Sequence, residues 1–276
     1  MGDYLRPRDL DEALQALTRP FTVLAGGTDF HPARVGRPVT EDVLDIAGIA
    51  ALRGISETDE GWRLGATTTW SELVDAGLPP LFDGLKQAAR EVGGRQIQNA
   101  GTIAGNICNA SPAADGVPAL LALDAEVEVA SRDGARRLPL GTFITGVRKT
   151  ALLPGELVTA PHVPRPRHEA RSAFLKLGAR RYLVISIAMA SVVVEVSNRT
   201  VASARVAVGA CSPVAQRLPD LERVLVGAPA DAQLGERVEP GHLAPLSPID
   251  DVRGSAGYRN DVALVLLRRL LSTVAA

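Results

Sequence analysis

Residues 93–115 read Gly-Gly-Arg-Gln-Ile-Gln-Asn-Ala-Gly-Thr-Ile-Ala-Gly-Asn-Ile-Cys-Asn-Ala-Ser-Pro-Ala-Ala-Asp, a segment rich in glycine, amides and hydroxyls and poor in bulky apolar residues. Such a chain is costly to bury unless something satisfies its backbone polar groups. Within it, Thr102-Ile103-Ala104-Gly105-Asn106 is one small-residue loop; Ala25-Gly26-Gly27-Thr28-Asp29, directly after the apolar run Phe21–Leu24, is another. Small residues let successive N–H groups converge on an anion, while Thr and Asn add neutral donors without a competing charge. Two such loops can grip the two phosphates of a diphosphate. Each taken alone reads as an ordinary tight turn or bulge.

On either side, helix and strand signals alternate. Leu10, Ala13, Leu14 and Leu17 share a helical face that Pro20 ends, and Phe21–Leu24 and Val43–Ile46 are short strands. Thr69 with Glu72 forms a capping box, and Leu81–Val92 is a further helical run. Pro118–Leu123 is helical, and Glu126–Ala130 with Arg136–Leu140 form a hairpin around Asp133-Gly134. Three prolines in Pro161–Pro166 mark a linker, which divides the chain into 1–165 and 166–276. Beyond it come strands at Ala173–Leu177, Val184–Val196 and Val201–Val208, a helix at Leu218–Val226, and the amphipathic run Val262–Leu271.

Composition narrows the function. The chain has 276 residues, 46% apolar and 22% charged, with 30 basic against 31 acidic side chains, so neither disorder nor nucleic-acid binding is indicated. Two cysteines, Cys108 and Cys211, are too few for an iron–sulfur cluster or an all-cysteine zinc site. The apolar stretch Tyr182–Val196 is too short and too β-branched for a membrane span, and the polar start lacks a signal core, so a cytoplasmic location is expected. No Gly-x-Gly and no Gly-Lys-Ser/Thr occurs, which excludes the Rossmann fingerprint and the P-loop. Taken by themselves, Asp115 reads as a helix N-cap, and Lys176, on the strand face opposite Leu175 and Leu177, as solvated.

Ala-Gly-Gly-Thr-Asp (25–29), Gly-Thr-Ile-Ala-Gly-Asn (101–106) and Ser-Pro-Ala-Ala-Asp (111–115), in this order and at these separations, resemble the FAD-binding medium subunit of molybdenum hydroxylases of the xanthine dehydrogenase and carbon-monoxide dehydrogenase type. The resemblance continues through Gly146-Val147-Arg148-Lys149-Thr150-Ala151-Leu152, Pro154–Leu157, Phe174-Leu175-Lys176, Arg180-Arg181 and Asp251–Arg259. It implies an α+β protein: a two-subdomain FAD-binding domain of the vanillyl-alcohol-oxidase type, then a smaller C-terminal α+β domain. By the same resemblance Val23, Leu24, Ala25, Gly26, Gly27, Thr28, Asp29 and Phe30, with Thr102, Ile103, Ala104, Gly105 and Asn106, hold the pyrophosphate of non-covalent FAD. Asp115 reaches polar atoms near the ribityl chain or ring, Lys176 contacts the isoalloxazine edge, and Val158 flanks the cofactor.

The implied activity is electron transfer, with FAD passing electrons from [2Fe–2S] clusters to NAD, O2 or another acceptor. The molybdenum cofactor and the clusters are expected on a large and a small partner subunit, in a heterohexamer. No catalytic acid, base or nucleophile and no metal ligand set stands out. Two departures are visible: Ala104 replaces a glycine common in the family, which requires a negative φ, and Phe30-His31-Pro32-Ala33-Arg34 is atypical. A stand-alone FAD oxidoreductase on the same fold and a non-catalytic nucleotide-binding assembly subunit are the alternatives.

Overall fold

The computed structural model describes residues 2–180 and 183–275. Three short strands, β1 (Tyr4–Leu5), β2 (Thr22–Leu24) and β3 (Val43–Asp45), make a parallel sheet in the order β1-β3-β2, with α1 (Leu10–Ala16) crossing between the first two. Asp9 caps α1 by accepting from the Glu12 N–H, and Ala13 and Leu14 fix its inner face. A five-stranded antiparallel sheet follows in the order β4-β5-β10-β6-β7: β4 (Ile55–Thr58), β5 (Gly61–Leu64), β6 (Glu126–Ser131), β7 (Gly134–Pro139) and β10 (Leu157–Pro164). The helices α2 (Trp70–Asp75), α3 (Asp83–Glu91), α4 (Arg95–Ala100), α5 (Ile103–Asn109) and α6 (Gly116–Ala122) intervene, and α7 (Leu140–Phe143) leads into the ribbon β8 (Ile144–Gly146) and β9 (Lys149–Thr150). The capping box forms as expected, the Thr69 hydroxyl accepting from the Glu72 N–H while the Glu72 carboxylate accepts from the Thr69 N–H.

Two expectations are corrected. The proline cluster is no linker: Pro161 and Pro164 lie in β10, a central strand. The strand tolerates them because its first part pairs with β6 and its end with β5, overlapping only at His162, so each proline has a strand neighbour on one side alone. The segment Thr102–Asn106 is not a loop but the start of α5, with Thr102 as its N-cap. The β4–β5 hairpin, turning at Gly61 (φ +146°), carries no signal that the hydrophobic pattern picks out.

Beyond residue 168, β11 (Glu169–Leu177), β12 (Ala188–Ser197), β13 (Thr200–Gly209) and β14 (Gln216–Arg217) form an antiparallel sheet in sequence order. The expected second strand begins later than Val184, and Tyr182, where its apolar run opens, lies outside the described residues. Helices α8 (Pro219–Leu225) and α9 (Ala256–Val274) cover one face, where Val192, Val194 and Val206 meet Leu221, Leu267 and Leu271. Met189, Val193 and Ala207 on the other face join the core that contains α3 and α6. The C-terminal sheet is therefore sandwiched, and its inner face is continuous with the N-terminal core. Among the described residues no helix is long and apolar enough to cross a membrane.

Candidate functional site

The chain leaves β2 at Leu24 and turns at once. A Cβ on Gly26 would lie 1.9 Å from the Ala100 carbonyl oxygen, so only glycine lets this loop press against the end of α4, where the chain turns into α5. Gly27 follows at φ +69°, the left-handed region that a side chain disfavours. On the opposing segment the Thr102 hydroxyl accepts from the Gly105 N–H at 3.1 Å, and the Ile103 and Trp70 amides bond to the Thr68 and Gly101 carbonyls. Ala104 sits in helical geometry, so its methyl group is accommodated and the departure from glycine is harmless.

The two segments close on one cleft of about 700 Å3. Val23, Leu24, Ala25, Gly26, Gly27, Thr28, Asp29 and Phe30 line it, opposite Thr102, Ala104, Gly105 and Asn106, with Val158 on the wall. Ile103 points the other way, fully buried in the core beneath. Val92, Ile97, Leu152 and Leu157 supply an apolar side suited to a flat ring. The Phe30 ring carries the Arg34 guanidinium 3.8 Å from its centroid, and Arg34 is in turn paired with Glu41.

Asp115 and Lys176 are not on the cleft lining. Lys176 is buried rather than solvated, and its ammonium donates to the Asp115 carboxylate and to the Glu91 carbonyl, both at 2.8 Å. Asp115 does not cap α6: its carboxylate accepts from Lys176 and from the Ser186 hydroxyl (2.6 Å), and no cap bond forms. Burial pushes the Asp115 carboxyl up, against the pull of Lys176. The face of β11 that alternation assigns to solvent is the one turned toward α3 and α6, which only the tertiary arrangement reveals.

Several lining residues carry no sign of a site role in the sequence, among them Trp70 and Asn109. Asn109 donates to the Asp29 carboxylate at 3.0 Å, and Arg148 donates to the Asn109 carbonyl at 3.3 Å. Arg148 and Glu156 stand in stretches that carry the resemblance but that it gives no role. Cys108 opens onto the cleft but is enclosed by protein on its other sides, which pushes its thiol up to about 12 and keeps it protonated at neutral pH.

The chemistry of this cleft fits a dinucleotide flavin. A small-residue backbone segment held by a glycine that packs on the Ala100 carbonyl, neutral hydroxyl and amide groups, and an apolar wall line one space. Asn106 lines it while its Oδ1 is buried without a donor, so the amide has hydrogen-bonding capacity that the protein leaves unused. Among the described residues no group of three or more His, Cys, Asp or Glu side chains could hold a metal ion.

Fold and cleft together define a flavin-binding oxidoreductase component. Residues 1–166 match the family described as the FAD binding domain in molybdopterin dehydrogenase, and residues 173–274 match the CO dehydrogenase flavoprotein C-terminal domain. The chain belongs to this family of molybdopterin-dehydrogenase flavoproteins. It is 31% identical over 280 residues to the carbon monoxide dehydrogenase medium chain of Afipia carboxidovorans, covering 99% of this chain and 96% of that one. It is 30% identical over 286 residues to the putative xanthine dehydrogenase FAD-binding subunit of Escherichia coli K12, covering 100% and 96%. A reconstituted CO dehydrogenase structure from Oligotropha carboxidovorans superposes with a TM-score of 0.90 at 29% identity, covering 100% of this chain and 98% of that one. These relatives are FAD or medium subunits of multi-subunit dehydrogenases, and this chain is an electron-transfer flavoprotein subunit of the same type.

Proposed function

We propose that non-covalent FAD lies in the cleft between Val23–Phe30 and Thr102–Asn106, with its diphosphate on the small-residue cradle and its ring against Val158 and the neighbouring apolar wall. The observation that carries this reading is the convergence of the two segments, far apart in sequence, on one cleft, the first held there by a glycine that packs on the Ala100 carbonyl beside the second. Bound flavin supplies the capacity to take up two electrons and release them to an acceptor. The chain's residues bind and orient it. The Gly27 and Gly105 segments leave the phosphates unobstructed, Val158 and Leu157 exclude water from one side of the ring, and the Asn106 amide offers an unused hydrogen-bonding group. Lys176, outside the cleft lining, commits two of its three N–H donors to Asp115 and Glu91, and the third is the one that would meet the flavin edge. Asp115, held behind the lining by Lys176 and Ser186, is the carboxylate that would reach the ribityl hydroxyls.

The FAD-binding unit spans 1–165 and the smaller unit 166–276, the division falling in the turn between β10 and β11. A large subunit with a molybdenum cofactor and a small subunit with [2Fe–2S] clusters are the partners, in a cytoplasmic heterohexamer with two copies of each. The relatives named as medium chains and FAD subunits support this, as does a cysteine content too low for clusters of its own. An absorbance spectrum of the purified chain, with chromatography of the cofactor released by heat, tests the reading. One FAD per chain is the expected result; a folded, colourless chain that takes up no added FAD refutes it.

A further inference from the structure

Arg148 occupies the turn between β8 and β9 with φ +56°, a left-handed conformation unusual for a long side chain. Its N–H donates at 2.9 Å to the carbonyl of Ala110, itself left-handed (φ +45°) at the end of α5. Two strained non-glycine residues are thus locked face to face by one hydrogen bond, and such outliers concentrate at working sites. The turn delivers the guanidinium into the cleft, where it donates to the Asn109 carbonyl and side-chain oxygen. Both acceptors are neutral. The other charges lining the cleft are committed differently: Arg34 to Glu41, Glu156 to Arg136, and Asp29 to the Asn109 amide. Among the described residues Arg148 is the one cleft-lining cation without a carboxylate partner.

Asn109 transmits this arrangement. Arg148 fixes which end of the amide faces it, so that Asn109 Nδ2 turns to Asp29 and holds that carboxylate away from the guanidinium. The result is a fork with unused N–H donors, kept free of internal neutralisation at the outer end of the cleft. A planar guanidinium in this state is suited to phosphate oxygens, which it can bind in bidentate fashion. It stands at the far end of α5 from Thr102, about 10 Å along the helix axis.

We propose that Arg148 binds a nucleotide phosphate at the outer end of the cleft, and that Asn109 is the positioning residue that keeps its fork available. The phosphate belongs either to the FAD of the same cleft or to a soluble nucleotide that exchanges electrons with it. The proposal rests on the flavin reading above.

The test uses Arg148→Asn and Arg148→Lys in the full chain. Asn tolerates a left-handed backbone, so a loss in R148N reports the guanidinium rather than the turn. FAD affinity is measured by quenching of flavin fluorescence on reconstitution of the flavin-free chain, and the FAD-loaded chain is titrated with ADP by calorimetry. If the phosphate is FAD's own, R148N weakens FAD binding at least ten-fold and R148K recovers part of it. If it belongs to a second nucleotide, FAD affinity holds while ADP binding, present in the unmodified chain, falls at least ten-fold. FAD and ADP affinities both within two-fold of the unmodified chain in R148N overturn the proposal, as does an unmodified chain that binds no ADP while R148N binds FAD normally. An unmodified chain that binds no FAD instead overturns the flavin reading on which it rests.

Discussion

Gly27 shows how much one residue settles. At φ +69° it is in a conformation that costs an L-residue roughly 1–2 kcal/mol, and a Cβ there would meet the His31 ring at 2.7 Å. Gly27→Val adds a branched side chain to both problems and places methyl groups where the cradle must stay open. The variant should fold with FAD content below a tenth of the unmodified level, read from the ratio of flavin to protein absorbance. Stoichiometric FAD in that variant would remove the first loop from the site. Glu156 is a second residue with a readable consequence. The Arg136 guanidinium beside it holds its carboxyl below the usual carboxylate range, aided by the Leu153 N–H. A lowered folded pKa means the stabilisation is fully present above the unfolded value and is lost as pH falls through the folded one. Glu156→Gln should therefore flatten the acid limb of the stability profile and leave neutral pH less stable, as measured by urea unfolding from pH 3 to 7. An acid limb identical to that of the unmodified chain would deny Glu156 this role.

At the level of elements, strand β11 would be an open edge but for two side chains. The Gln87 amide oxygen accepts the Phe174 N–H at 2.7 Å, while the Ser172 hydroxyl accepts the Gly84 N–H and donates to the Leu81 carbonyl. Helix α3 thus pairs with the sheet through side chains where no further strand is available. Gln87→Ala leaves the Phe174 amide, on a buried residue, without an acceptor, at a cost of about 1–3 kcal/mol. Faster hydrogen exchange at Phe174 and an unfolding midpoint shifted down are the expected readings; an unchanged exchange rate would mean that another acceptor replaces Gln87. Local chemistry made some elements legible and left others hidden. The Thr69–Glu72 box and the Asp133-Gly134 turn are complete within four residues, so the sequence displays them directly. The prolines of β10 mislead because what excuses them is the offset between β5 and β6, partners about a hundred and about thirty-five residues away. Thr102–Asn106 reads as a loop because glycine and asparagine oppose helix, and the bonds that hold its start in place come from Thr68 and Trp70.

Over the whole molecule the cradle was legible because two independent small-residue runs marked it, whereas the meeting of Asp115 and Lys176 was not, since alternation in a strand cannot tell solvent from a second layer. That pair fastens α6 to β11 across the junction of the two cores, with side chains 10% and 5% exposed. Removing only the cation strands a buried carboxylate. Lys176→Met should cost about 3–5 kcal/mol at neutral pH. The sign of its pH dependence follows from the carboxyl, which burial already pushes up and which rises further without Lys176. With a folded pKa above the unfolded one, the variant is least penalised at pH near 4 and loses stability as pH rises toward the raised value. Adding Asp115→Asn removes the charge, and the double variant should regain most of the loss, so a double-mutant cycle yields a large coupling. Penalties that simply add, or a Lys176→Met loss independent of pH, would show that the pair does not hold the junction. Flavin content then divides structure from cofactor chemistry. A stable double variant that binds FAD as tightly as the unmodified chain would confine Asp115 and Lys176 to fastening the two units. If it is stable but weak in FAD, the same two residues both close the junction and contact the flavin, and the cofactor then lies against the surface that joins the cores.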